Sequence, residues 1–182
     1  MCIRDSQDPI VIIDGLTKNW RYPGFRVSWT VGPKNIIEGI SSAGSFLDGG
    51  CARPMQLASL DIVNSKIANQ EAQSIQKEFI KKRDFIYNEL TSLGIKISPK
   101  PDGAFYCWGD VSALPNSIND GISFFRKALE HKVITVPGQF FDINPGQRRS
   151  NRPSRFKNFV RFSFGPSIEE LEMGIDSLKK MI

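Results

Sequence analysis

The sequence predicts an α/β segment followed by an α+β subdomain. Three observations carry this. A β-branched run near the start is followed by a polar turn and a second strand-like run. A long amphipathic stretch occupies the middle of the chain. After Gly94 the pattern changes to short strands separated by two amphipathic helices.

In order, Pro9 to Asp14 reads as a short buried strand, Gly15 to Pro23 as a polar turn, and Phe25 to Val31 as a second strand. Pro33 sits where helices begin. Ile36, Ile37, Ile40, Phe46 and Leu47 recur at helical spacing until Asp48-Gly49-Gly50 stops the pattern. Another helical stretch begins near Pro54. The longest helix is expected from about Ala68 to Leu93, where Ile75, Phe79, Ile86, Leu90 and Leu93 form one stripe, with Gln, Lys and Glu opposite. Strands are then expected at Ile95 to Ile97, Ala104 to Gly109, Val133 to Val136 and Val160 to Phe164, with helices at Ile118 to His131 and Ile168 to Met181. The cheapest place to divide the two parts is inside the long helix, near residue 75.

Composition narrows the function classes. The 182 residues carry 24 Lys and Arg against 19 Asp and Glu, with 40% apolar residues, which excludes a disordered or collagen-like chain. No apolar run approaches the ~18 residues that a membrane span needs, and Met1 to Pro9 lacks the apolar core of a secretory signal, so a cytoplasmic location is expected. The net charge of +5 favours an anionic ligand without demanding one. Arg148, Arg149, Arg152, Arg155 and Lys157 cluster without an acid, but Pro145, Gly146 and Pro153 mark this as a solvated loop rather than a nucleic-acid site. Cys2, Cys51 and Cys107 have neither zinc-site nor disulfide-framework spacing, so no metal is expected. Met1 to Ser6 can be back-translated into a transposon adapter used in sequencing libraries. Residues 1–6 are therefore expected to be an artefact, and the natural protein to begin upstream of Gln7.

Lys18 follows a strand directly, flanked by Thr17 and Asn19, and a lysine so placed can lose solvent and form a Schiff base. Arg26, at the start of the next strand, could return beside it and offer its planar fork to a phosphate. A solvated lysine and a surface arginine are the plainer alternative. The longer pattern distinguishes them. Asp-Gly-Leu-Thr-Lys-Asn-Trp-Arg-Tyr-Pro-Gly-Phe-Arg-Val-Ser-Trp, residues 14–29, resembles the lysine signature of the class I/II aminotransferases, which are fold-type I pyridoxal-phosphate enzymes. Lys18, Gly24, Arg26, Ser28 and Trp29 all fall on it. Asp-Gly-Ala-Phe-Tyr-Cys-Trp at 102–108, Val-Ile-Thr-Val-Pro-Gly-Gln-Phe-Phe at 133–141 and Val-Arg-Phe-Ser-Phe-Gly at 160–165 match the same family in the same order.

The resemblance implies the C-terminal part of the fold-type I large domain over residues 7–75, then a small α+β domain over 76–182 that includes part of the connecting helix. It implies pyridoxal 5'-phosphate as cofactor, amino acid and 2-oxo acid substrates, and a homodimer in the full-length form. Lys18 would be the Schiff-base lysine and the base that moves the Cα proton; Thr17 and Arg26 would bind the phosphate; Arg161 would grip the substrate α-carboxylate. A strand-edge salt bridge is the alternative for Arg161. Gly103 to Tyr106 and Pro137 to Phe141 would line the substrate entrance. Gly15 departs from the pattern, standing where many relatives carry a serine hydroxyl, and Thr17 is its candidate replacement. The resemblance places Arg53 in the region that reaches a neighbouring subunit's site, with a surface arginine the plainer alternative, and His131 reads as a C-terminal helix charge. The family's pyridinium partner and ring-stacking residue lie upstream of the lysine, and Asp8 and Asp14 stand too close to Lys18 to replace them. The parent is therefore expected to be a transaminase and this stretch alone inactive. A carbon–sulfur β-lyase of the same fold and a non-catalytic cofactor- or nucleic-acid-binding protein are the rival readings.

Overall fold

The computed structural model describes residues 9–144 and 153–182. Cys2, the six-residue leader, Gln7, Asp8, Arg148, Arg149 and Arg152 lie outside the described residues. The chain divides into two compact units, one ending at Ile75 and the other starting at Gln76.

In the first unit β1 (Ile12–Gly15) pairs antiparallel with β2 (Ser28–Val31), with Ile12 opposite Val31 and Gly15 opposite Ser28. The strand expected to be buried is not: Ile13 is 76% exposed. A β-branched run specifies extended backbone, but coverage depends on neighbours, and this sheet has two strands among the described residues. The turn between them is where the hairpin is anchored. Leu16 is fully buried, its N–H donates to the Val27 carbonyl at 3.1 Å, and its carbonyl accepts from the Tyr22 N–H at 3.0 Å. The indole Nε1 of Trp20 donates to the Ile62 carbonyl at 3.0 Å, and Trp20 meets Trp29 edge to face. Arg21 pairs with Glu71.

Helix α1 (Lys34–Leu47) starts after Pro33, which occupies the cap rather than the first helical position, and ends before Gly49 and Gly50, both left-handed. It buries none of its residues, and Phe46 and Leu47 stand in solvent. Helix α2 covers Arg53–Ser59, and α3 covers Ser65–Ser92, with the division between the units falling inside it.

The second unit is an antiparallel sheet in the order β3-β4-β6-β5: Lys96–Ile97, Tyr106–Asp110, Phe159–Ser163 and Val136–Pro137. Strand alternation divides its faces. Ile97, Cys107, Val160 and Phe162 point into a core with Ile86 and Leu90 of α3, Phe124 and Ala128 of α4 (Gly121–Glu130), and Leu171, Ile175 and Leu178 of α5 (Ile168–Met181). Tyr106, Trp108, Phe159 and Arg161 occupy the alternate positions and are half-buried.

Among the boundaries that differ from the sequence reading, three in the second unit have a local cause. Helix α4 begins at Gly121 because Asp120 caps it, accepting from the Ile122 and Ser123 N–H groups; Ile118 is instead a buried turn residue. Strand β4 begins at Tyr106 because Ala104 is left-handed, at a φ of 57°. Residues Val133 to Thr135 are spent leaving α4, with Lys132 left-handed and the Val133 N–H on the Ala128 carbonyl, so β5 is only Val136–Pro137. Helix α5 keeps its expected bounds, set by a capping box. The Glu170 N–H donates to Ser167 Oγ at 3.2 Å and the Ser167 N–H to Glu170 Oε2 at 2.9 Å, which holds the Glu170 carboxyl below its ordinary range.

Candidate active site

Thr17, Lys18 and Arg26 stand on the one loop that the Leu16–Val27 hydrogen bond closes. Lys18 and Arg26 are exposed and Thr17 is half-buried, so the lysine is not withdrawn from solvent here as the sequence reading allowed. Arg26 is left-handed at a φ of 54° and donates from Nη1 to the Pro23 carbonyl at 3.0 Å, turning the side chain back over its own loop. The carbonyl of Lys18 accepts from the Arg21 N–H at 3.3 Å.

Asp14, close by, is engaged within the hairpin. Its carboxylate accepts from Asn19 Nδ2 at 3.0 and 2.9 Å and from the Gly15 N–H at 2.7 Å. Gly15 has a steric reason to lack a side chain: a Cβ there would lie 2.8 Å from both Ser28 Cβ and the Val27 carbonyl oxygen. The loop therefore carries the Lys18 amine, the Thr17 hydroxyl and the Arg26 guanidinium, while its other guanidinium, that of Arg21, is engaged with Glu71.

Arg161 stands on β6 in the second unit, between Trp108 of β4 and Val136 of β5 in register. Its guanidinium carbon lies 4.1 Å from the Tyr106 ring centre and 4.7 Å from that of Phe141. Among the described residues it makes no ion pair, so the salt-bridge alternative finds no carboxylate. Phe141 ends a 3-10 turn, Gly138–Phe141, that the sequence reading did not foresee. Trp108 meets Phe141 edge to face at 5.6 Å, stacks on Phe159 at 5.7 Å and meets Phe156 at 5.4 Å. The sequence singled out the segments holding Tyr106 and Phe141, but missed Trp108, Phe156 and Phe159; the shared parity of Trp108, Phe159 and Arg161 on paired strands was the available signal.

Arg53 is exposed at the start of α2, and His131 caps the end of α4, its N–H on the Ala128 carbonyl at 3.0 Å. Of the basic loop, Arg155 and Lys157 are described: Arg155 lies 3.6 Å from the Asp142 carboxylate, which also accepts from Ser154 Oγ at 2.7 Å, and the Lys157 carbonyl accepts from the Gly121 N–H at 2.8 Å. Among the described residues no group of acids, cysteines or histidine could hold a metal, and no helix is long and apolar enough to cross a membrane.

Residues 3–178 match the model of the family described as aminotransferase class I and II. Aspartate aminotransferase of Streptomyces avermitilis is 25% identical over 99% of this chain and 42% of its own length. The probable N-acetyl-LL-diaminopimelate aminotransferase of Bacillus subtilis is 26% identical over 97% of this chain and 41% of its length. The structure of Thermus thermophilus aspartate aminotransferase with maleate shares the fold, with a TM-score of 0.78 at 24% identity, over 94% of this chain and 41% of that one. The chain spans about two fifths of the length of the relatives it matches. It belongs to the class I and II aminotransferases.

Proposed function

We propose that this member of the class I and II aminotransferases supplies the lysine, phosphate and carboxylate sites of a pyridoxal-phosphate-dependent enzyme that moves an amino group between an amino acid and a 2-oxo acid. The observation that carries the reading is the donor set on the Leu16–Val27 loop: an amine, a hydroxyl and a guanidinium on one closed turn. That set fits an aldehyde that also bears a phosphate. When bound, the cofactor contributes a carbonyl for the amine and a ring that accepts the electron pair left by a departing proton.

The rest falls to the chain's own residues. Lys18 Nζ, exposed at the loop, is the group that can attach to a carbonyl and, once displaced by an incoming amine, take a proton from Cα. Thr17 Oγ and the in-plane donors of Arg26 hold a phosphate dianion, for which a guanidinium fork is well matched. Arg161 takes the substrate α-carboxylate and so fixes the direction of the Cα–H bond. On this reading residues 7–75 belong to the large domain and 76–182 to the small one, the full-length enzyme is a homodimer, and the groups that pair with the cofactor ring come from outside this chain.

Borohydride trapping tests the reading. The chain is incubated with pyridoxal phosphate and reduced, and the modified peptide is identified by mass spectrometry. Lys18 is expected to carry most of the label, and Arg26→Gln to reduce it several-fold while pyridoxal without its phosphate labels both proteins alike. Label scattered over surface lysines, indifferent to Arg26, would defeat the assignment. In the full-length protein, amino transfer from aspartate, the substrate named for the Streptomyces avermitilis relative, is scored against release of a thiol, pyruvate and ammonia from an S-substituted cysteine, which marks a carbon–sulfur β-lyase.

A further inference from the structure

Arg161 is held in an unusual way for a half-buried arginine on a strand. A guanidinium carries five N–H donors in its plane and is weakly hydrated on its faces. Among the described residues it has no carboxylate partner, yet two aromatic rings from two other elements lie within 5 Å of its carbon, Tyr106 of β4 at 4.1 Å and Phe141 of the 3-10 turn at 4.7 Å. Contact with rings draws on the cation's charge without consuming a donor.

The rings are themselves fixed. Trp108 abuts Phe141 and stacks on Phe159. The turn that carries Phe141 starts at Gly138, whose missing side chain lets it lie against the Phe156 carbonyl and Phe159. Tyr106 packs against Phe105 at 4.3 Å. An arginine loses considerable rotamer freedom when it is fixed in one geometry; here much of that loss is already incurred before any anion arrives.

We propose that Tyr106 and Phe141 are positioning residues for Arg161, orienting its guanidinium and keeping water from it, so that its in-plane donors meet a carboxylate in one geometry. The proposal rests on the reading of Arg161 as a carboxylate site, and deepens it by assigning the specificity of that site to two aromatic side chains. It implies that what matters at 106 and 141 is a ring: the Tyr106 hydroxyl is dispensable, and an aliphatic side chain of similar bulk does not substitute.

The test uses the full 182-residue chain and p-hydroxyphenylglyoxal, which condenses with arginine, with the labelling of Arg161 followed by peptide mass spectrometry against increasing succinate. The variants are Tyr106→Phe, Phe141→Tyr, Tyr106→Leu and Phe141→Leu, each checked for native circular dichroism; Phe141 is 38% exposed, so its replacement leaves the core untouched. Succinate is expected to protect Arg161 equally in wild type and in the two ring-retaining variants. In each leucine variant the protecting concentration should rise about three- to tenfold, the range for losing one partly desolvated cation–ring contact. Succinamide, which lacks the charge, should protect none. Folded leucine variants protected at the wild-type concentration would overturn the proposal alone. Absence of succinate protection in the wild type would overturn the carboxylate reading, and the proposal with it.

Discussion

Gly138→Ala should destabilise the second unit through a contact that no side-chain rotation can relieve. A Cβ at this position would lie 2.7 Å from the Phe156 carbonyl oxygen and 2.8 Å from both the Cβ and the carbonyl oxygen of Phe159. None of the three is the free end of a flexible chain, and the last two belong to the first residue of β6, so the strand itself must move. Overpacking of this kind costs about 1–3 kcal/mol. With a urea dependence of about 1–3 kcal/mol/M, the midpoint should fall by roughly 1 M. The readout is pulse-labelling of Cys107 across a urea series, because that thiol is fully buried on β4 and reports the second unit. Gly174→Ala is the matched control: it lies within α5, a Cβ there meets nothing within 4 Å, and the exchange should stabilise by about 0.5–1 kcal/mol through helix propensity and reduced unfolded-chain freedom. Midpoints for Gly138→Ala within experimental error of the wild type would refute the close approach of the turn to β6, and with it the basis on which Phe141 is fixed beside Arg161.

Other outcomes follow from the same geometry. Asp120→Ala should cost about 1 kcal/mol as α4 loses its cap. The Asp120 carboxyl lies below its ordinary value, chiefly through the Ser123 hydroxyl and then the Ser123 and Ile122 N–H groups. Its contribution is therefore complete above the unfolded value near 3.8 and lost as pH falls through the lower folded one, so wild type and Asp120→Asn should converge in stability on acidification; a constant gap down to pH 2 would contradict this. In the folded chain a thiol reagent at neutral pH should modify Cys51, which is half-buried, and spare Cys107, whose thiol burial pushes up to about 11; equal rates would show that β4 is open. Gly15→Ser should splay the hairpin and lower trapping of pyridoxal phosphate at Lys18, because its Cβ would meet Ser28 and the Val27 carbonyl at 2.8 Å. Unchanged trapping would mean that the loop tolerates the serine and that Thr17 is not its replacement.

How far the sequence could be read depended on whether the deciding interaction was local. Helix α5 was legible to the residue because Ser167, Glu170 and the stripe Leu171, Ile175, Leu178 lie within a few turns of one another. The long helix was legible for the same reason, although its start was misplaced by a few residues. Strand β1 was recognised as a strand and misjudged as buried, since exposure is decided by what covers it. The start of β4 was missed because nothing in Gly103-Ala104-Phe105 announces that Ala104, rather than the glycine before it, takes the left-handed conformation.

The candidate site shows the same division at finer grain. Lys18, Thr17 and Arg26 could be singled out because a single loop carries them and its spacing is a motif. Arg161 was singled out from its own short motif, and the segments holding Tyr106 and Phe141 from theirs, but the contacts of those two rings with the guanidinium were not legible, because they arise only through the pairing of β4 with β6 and the turn after β5. Once that register is known, alternation does the sorting. Cys107, Val160 and Phe162 serve the core, while Tyr106, Trp108 and Arg161 share the other face, so one sheet carries stability on one side and the proposed anion site on the other. Gly138 is where the two are coupled, because its contact with Phe159 bears on both the strand and the turn that carries Phe141. A substitution there should disturb both faces at once, whereas Phe141→Leu should alter anion recognition and leave the core in place.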